Sequence, residues 1–296
     1  MKWLAATNLL ADSQGTLELA SWFRSHSPGA ESADFAVMAV AADAFVPSIP
    51  SEREPYVAKL TAVLNENVVA AVGSDVFGHL EVRVAGAPSA TLSDAADEMG
   101  STLLLGRRAT KHSHSFVRLG AVARRAIRRL AGPLMIVPAD WQGETAGSGP
   151  VVVAVDPSKP SLTALEFGGR LAKAAGRELL LAHVLPGIEE LGVAYLPAAR
   201  SVVLRRDQAQ AAIDAFHGFV REHDLGDIPT RVVSGPTIDA VLELASEIDA
   251  FAIACGSRGL SLSERIVSAS VGSELAALAT VPVAIIPPDS AQRGRD

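Results

Sequence analysis

Residues Val281-Pro282-Val283-Ala284-Ile285-Ile286-Pro287 form a short apolar run closed by prolines. A near echo, Gly132-Pro133-Leu134-Met135-Ile136-Val137-Pro138, lies 149 residues earlier at both prolines (282 − 133 and 287 − 138). Four or five apolar residues bounded by proline have the length of a strand buried on both faces. Working outward, Gly86 in VRVAGAP matches Gly235 in TRVVSGP (235 − 86 = 149), and Gly106 in LLLGRRA matches Gly256 in IACGSRG (256 − 106 = 150). Thr16-Leu17-Glu18 matches Ala164-Leu165-Glu166 (164 − 16 = 148). Features that recur in one order at one spacing mark an internal duplication. The chain therefore reads as two similar domains, 1–138 and 151–288. A polar, glycine-containing linker at 139–150 joins them, and a polar tail occupies 289–296.

The second half sets the rhythm. Apolar runs predict strands over 151–155, 179–184, 230–233, 251–255 and 283–286. Helical spacing predicts helices over 161–175, 205–222, 237–248 and 270–278. Strands apolar on both faces that alternate with helices indicate a parallel sheet covered on both sides. Each half is thus expected to be an open α/β sandwich, a mostly parallel five-stranded sheet with helices on both faces. Proline-flanked closing strands suggest sheet edges, and an apolar edge invites pairing. The two closing strands can pair with each other, giving a pseudo-symmetric dimer within one polypeptide, and further homo-oligomers stay open.

Composition bounds the function. At 296 residues, 49% hydrophobic, the chain can bury two ordinary cores, which excludes collagen, a disordered tail and a disulfide scaffold. Its single cysteine, Cys255, has no internal partner, which favours a reducing, cytoplasmic setting. A net charge of −7 argues against a nucleic-acid coat. No run is long and apolar enough for a membrane helix. Residues 1–11 (MKWLAATNLLA) have the outline of a short signal sequence, but the duplication makes them a first buried strand.

In open parallel sheets, ligands bind beyond the carboxyl ends of the strands, where strand order reverses. Asp156 stands there after the first strand of the second half. It suits a ribose hydroxyl or a base amine, and suits a turn or helix cap equally well. After the fourth strand comes Gly256-Ser257-Arg258-Gly259, and Ser270 then opens a helix. Such glycines bring backbone N–H groups to an anion, and a helix start favours phosphate. A tight turn with an N-cap serine has the same sequence.

The spacing Gly256-x2-Gly259-x9-Ala269-Ser270 resembles the Gly-x2-Gly-x9-Gly-(Ser/Thr) signature of universal stress proteins. VVVAVDPS, ELLLAHV and VPVAIIP flank it as that family's first, second and closing strands do. The resemblance covers the whole second half and, through the duplication, the first half at lower fidelity. It implies an adenine nucleotide, ATP or AMP, bound with or without Mg or Mn. The nucleoside would lie on Asp156 and Val184, and the phosphates on Gly256, Gly259, Ser270 and Val271. Ser257 and Arg258, inside the loop, would add a hydroxyl and a charge. Ala269 stands where the signature has its third glycine.

The first half departs at several of these positions. Asn8 replaces Asp156, Ala109 replaces Gly259, and Ala121 replaces Ser270. A structural role is expected of this half, with Arg107 and Arg108 as a weaker candidate pair for some other anion. From 99 to 139 there are eight basic residues and no acidic one. That run reads as a solvated helix face rather than a nucleic-acid patch. His112 and His114 read as a loop, His183 as packing, and Cys255 as a buried inert thiol. No constellation for catalysis stands out, and slow ATP hydrolysis is the most that is expected. The family reading is a stress-response sensor or regulator. The alternatives are an interaction scaffold without nucleotide and, further off, an ATP pyrophosphatase, whose Ser-Gly-Gly-x-Asp loop the segment after Val155 lacks.

Overall fold

A computed structural model describes residues 1–8, 13–107, 119–185, 198–257 and 271–288. In the first half β1 (Trp3–Thr7), β2 (Phe35–Ala41), β3 (His79–Val84), β4 (Thr102–Arg107) and β5 (Leu134–Pro138) alternate with α1 (Gln14–His26), α2 (Pro50–Val72), α3 (Pro88–Glu98) and α4 (Ala121–Arg128). The second half repeats the pattern. Its strands are β6 (Val151–Ala154), β7 (Leu179–Leu185), β8 (Thr230–Ser234), β9 (Ala252–Gly256) and β10 (Val283–Ile286). Its helices are α5 (Lys159–Ala175), α6 (Ala198–Glu222), α7 (Thr237–Glu247) and α8 (Val271–Leu278).

All ten strands form one sheet in the order β3-β2-β1-β4-β5-β10-β9-β6-β7-β8. Every pairing is parallel except β5 with β10, which is antiparallel and places Ala284 opposite Met135. The closing strands, read as edges, therefore lie at the centre of the sheet and are fully buried. The true edges are β3 and β8, and β8 is largely exposed, because each has a strand on one side only. Residues 3–7 form an inner strand, β1, with Trp3 stacked on Phe23 of α1 at 4.4 Å between ring centroids.

Alternating strand residues feed two cores. Trp3 and Ala5 face α1, α2, α5 and α6; Leu4 and Ala6 face α3, α4, α7 and α8. The first core runs across both halves. Phe251 meets Trp22, Phe23 and Trp141 at centroid distances of 4.7, 5.9 and 6.5 Å. Trp141 belongs to the segment read from sequence as a polar linker, yet it is buried. Gly147 and Gly149 press on the turn before β9: a Cβ at either would stand 2.3 Å from the Ala250 carbonyl oxygen or 2.1 Å from that of Ile248. The Ser148 N–H and hydroxyl both donate to one Asp249 carboxylate oxygen, at 2.7 and 2.8 Å. Residues 139–150 are thus docked, because an indole cannot be left in water as cheaply as a polar linker can.

Candidate functional site

Strand order reverses between β6 and β9, whose registers pair Ala154 with Cys255. On the other side β6 pairs with β7, Ala154 opposite Ala182. Asp156 follows β6, Val184 lies near the end of β7, and Gly256 and Ser257 end and follow β9. The fold thus brings these four to the carboxyl edge at the switch point, with Val271 at the start of α8. Arg258, Gly259 and Ser270 lie outside the described residues, as do Ala269 and the histidines at 112 and 114.

Asp156 is half-buried and held from two sides. The hydroxyls of Ser158 and Ser161 donate to its Oδ1, the latter at 2.6 Å, and its own N–H donates to Ser161 Oγ at 3.0 Å. It is not the cap of α5; that position is Ser158. Two hydroxyl donors on one oxygen fix the orientation of the carboxylate. Neither serine was singled out by sequence reasoning. The signal was there, however, since Ser161 repeats Ser13 at the same 148 spacing (161 − 13) that relates Asp156 to Asn8 (156 − 8).

His183 is buried, stacks on Phe216 at 4.9 Å, and donates from Nδ1 to the Val155 carbonyl at 3.0 Å. Its packing role ties β7 to the strand end that carries Asp156. The Ser257 N–H donates to the Ile286 carbonyl at 2.7 Å, while its hydroxyl is buried without a partner. Gly272, at the start of α8, lets that helix lie close on the sheet: a Cβ there would stand 3.2 Å from Ile285 and 3.3 Å from Cys255 Sγ. Cys255 is fully buried beneath it, and burial pushes its thiol up to about 12. Such a thiol is neither nucleophile nor metal ligand at neutral pH. Among the described residues no three His, Cys, Asp or Glu groups cluster as a metal site. No described helix is long and apolar enough to cross a membrane.

In the first half Asn8 and Ser13 keep the hydrogen bonds of Asp156 and Ser161 and lose the charge. Asn8 N–H donates to Ser13 Oγ at 3.1 Å, and Ser13 Oγ donates to Asn8 Oδ1 at 2.8 Å. Arg107 holds the position of Ser257 (257 − 107 = 150) and crosses into the second half. Its guanidinium donates to the Ala277 carbonyl at 3.2 Å and to that of Ala279, capping the C-terminal end of α8. Burial holds Arg107 below the ordinary arginine value, partly offset by the Asp140 carboxylate. That placement removes Arg107 from the anion-binding role considered for it. Arg124, Arg125, Arg128 and Arg129 lie exposed on and beside α4, opposite buried Ala123, Ala126 and Ile127.

Comparison with known proteins agrees with this architecture. Residues 148–287 match the model of the universal stress protein family. The crystal structure of a universal stress protein from Archaeoglobus fulgidus DSM 4304 superposes with a TM-score of 0.67 at 21% identity, over 97% of this chain and 98% of that one. A functionally unknown protein from Pseudomonas aeruginosa PAO1 gives 0.62 at 13% identity, over 100% and 97%. A putative universal stress protein from Pseudomonas aeruginosa UCBPP-PA14 gives 0.60 at 14%, over 99% and 95%. No curated protein matches the chain. Residues 148–287 are therefore similar to the universal stress protein family, and the fold of these solved structures extends over the whole chain.

Proposed function

We propose that the second half binds one adenine nucleotide, ATP or AMP, and that the chain acts as a nucleotide-responsive regulator in the cytoplasm. The observation that carries this is Asp156, a restrained carboxylate at the switch point of the sheet, where β6 and the strand ending in Gly256 lie side by side. Its carboxylate, held through Oδ1, accepts from a ribose hydroxyl, with the Val184 strand end against the adenine. Gly256, Ser257, Arg258, Gly259, Ser270 and Val271 surround the phosphates, with a divalent cation, Mg or Mn, as further charge compensation. Asp156 lies at the nucleoside end in this arrangement, so it activates no water at the γ-phosphate, and the role is binding rather than turnover.

The first half, 1–138, is read as the structural domain of the pair, and 151–288 as the binding domain. Pairing of β5 with β10 supports an internal pseudo-dimer. Calorimetric titration of the full chain with ATP, ADP and AMP, with and without magnesium, tests the reading. Micromolar binding at one site per chain, abolished by Gly256→Val, is expected. Two sites would mean that Asn8 does not disable the first half. No binding would move the protein to the scaffold class, the outcome that Ala269 in the signature favours.

A further inference from the structure

A second concave site lies at the opposite end of the first-half strands. A cavity of about 160 Å³ opens where β1, β4 and β5 begin, and helix α5 of the second half closes one side. Because β5 runs antiparallel to β10, this rim lies on the same edge of the sheet as the Asp156 loop. Four features of its lining point to a ligand.

Ser101, just before β4, is 5% exposed, and its hydroxyl has no hydrogen-bond partner. A buried hydroxyl left unpaired is unfavourable by about 1–3 kcal/mol, so natural interiors rarely keep one without a use. Lys2 and Arg170 stand on the rim, one from each half, and neither makes an ion pair or a side-chain hydrogen bond among the described residues. Arg170 lies over the Phe167 ring, 5.9 Å from its centroid, which holds the guanidinium at the cavity. Asp97 is the one carboxylate of the lining, so the side-chain charges sum to one net positive (two cations, one anion). The walls between these groups are apolar, Phe167 and Pro133.

Together these select an anion with an apolar body. A carboxylate fits the planar guanidinium better than a point cation, and the closed-off Ser101 hydroxyl would reach it by turning about χ1. The size is informative too, since an apolar cavity of about 150 Å³ holds a benzene ring. We propose that this cavity binds a small organic carboxylate of about the size of benzoate, gripped by Arg170 and Lys2 from the two halves. A ligand there touches both halves at once, so its occupancy stabilises their junction.

Benzoate is the probe, titrated into the full chain by calorimetry and by NMR shift perturbation. Benzyl alcohol and inorganic phosphate serve as the apolar and anionic halves of the same molecule. Saturable benzoate binding in about the millimolar range is expected for a ligand of this size, with both controls at least tenfold weaker. Arg170→Gln should weaken benzoate about tenfold or more. Ser101→Ala should weaken it severalfold while leaving the melting temperature equal or higher, because it removes an unpaired hydroxyl. A merely structural serine would not separate these two readouts. Asp156→Ala should leave benzoate binding unchanged, which keeps this result independent of the nucleotide reading. No saturable binding, equal binding of either control, or indifference to both Arg170→Gln and Ser101→Ala would overturn the assignment.

Discussion

After β1 Asn8 is tied to Ser13; after β6 Asp156 is tied to Ser161. Both pairs use the same two hydrogen bonds, backbone N–H to serine and serine to side-chain oxygen. The hydrogen-bonded scaffold is therefore a property of the duplicated fold, and the carboxylate is a property of one half. Ser158 adds a further donor to Asp156. The same contrast holds after β4 and β9. Arg107 reaches across to the end of α8, whereas Ser257 keeps its hydroxyl buried and unpaired. One half has become a brace for the element that carries the other half's proposed site.

The brace can be broken at its largest contact first. Phe251→Ala empties the aromatic cluster shared by Trp22, Phe23 and Trp141, and should destabilise the chain by about 3–5 kcal/mol. Because that core is continuous, urea unfolding followed by far-UV circular dichroism should remain a single transition. Two separated transitions would show that the halves are independent after all. Next in size is Arg107→Ala, expected to cost about 2 kcal/mol through loss of charge-assisted bonds to two carbonyls. Ser257→Ala at the matching position should be neutral or slightly stabilising, and equal effects would dissolve the asymmetry.

The smallest effect concerns the docked connection. The Ser148 N–H and then its hydroxyl hold the Asp249 carboxyl below its ordinary range. A depressed carboxyl adds stability above its unfolded value and loses it as pH falls through the folded one. The gap in melting temperature between the parent and Asp249→Asn should therefore be open at pH 7 and close below roughly pH 4. A gap that persists at pH 2 would assign the effect to something other than that charge.

Much of this was legible in the sequence, and the reasons are local. The 149-residue spacing, the apolar runs and the prolines reported a mostly parallel five-stranded sheet in each half, because strand burial writes itself into consecutive residues; the order of the strands across the sheet was not legible. Cys255 read as inert from its place in an apolar strand, and its buried thiol agrees. What could not be read depends on partners far away in sequence. Arg107 looked like a loop cation, and only the packing of α8 shows which carbonyls it meets. Residues 139–150 looked like a linker because glycine and polar residues dominate it. Gly147 and Gly149 are there for close approach, not freedom, and Trp141 anchors the segment. The cavity lined by Ser101 joins residues from positions 1 to 170, and no motif spans that distance.

The most direct test makes the two loops alike. Asp156→Asn converts the second loop to the side chain that the first carries at Asn8, with the serine bonds retained and a stability change within about 1 kcal/mol. Titration of this variant with ATP should show the binding of the parent chain lost or weakened at least tenfold. Parental ATP affinity in Asp156→Asn would contradict the claim that the carboxylate distinguishes the two halves.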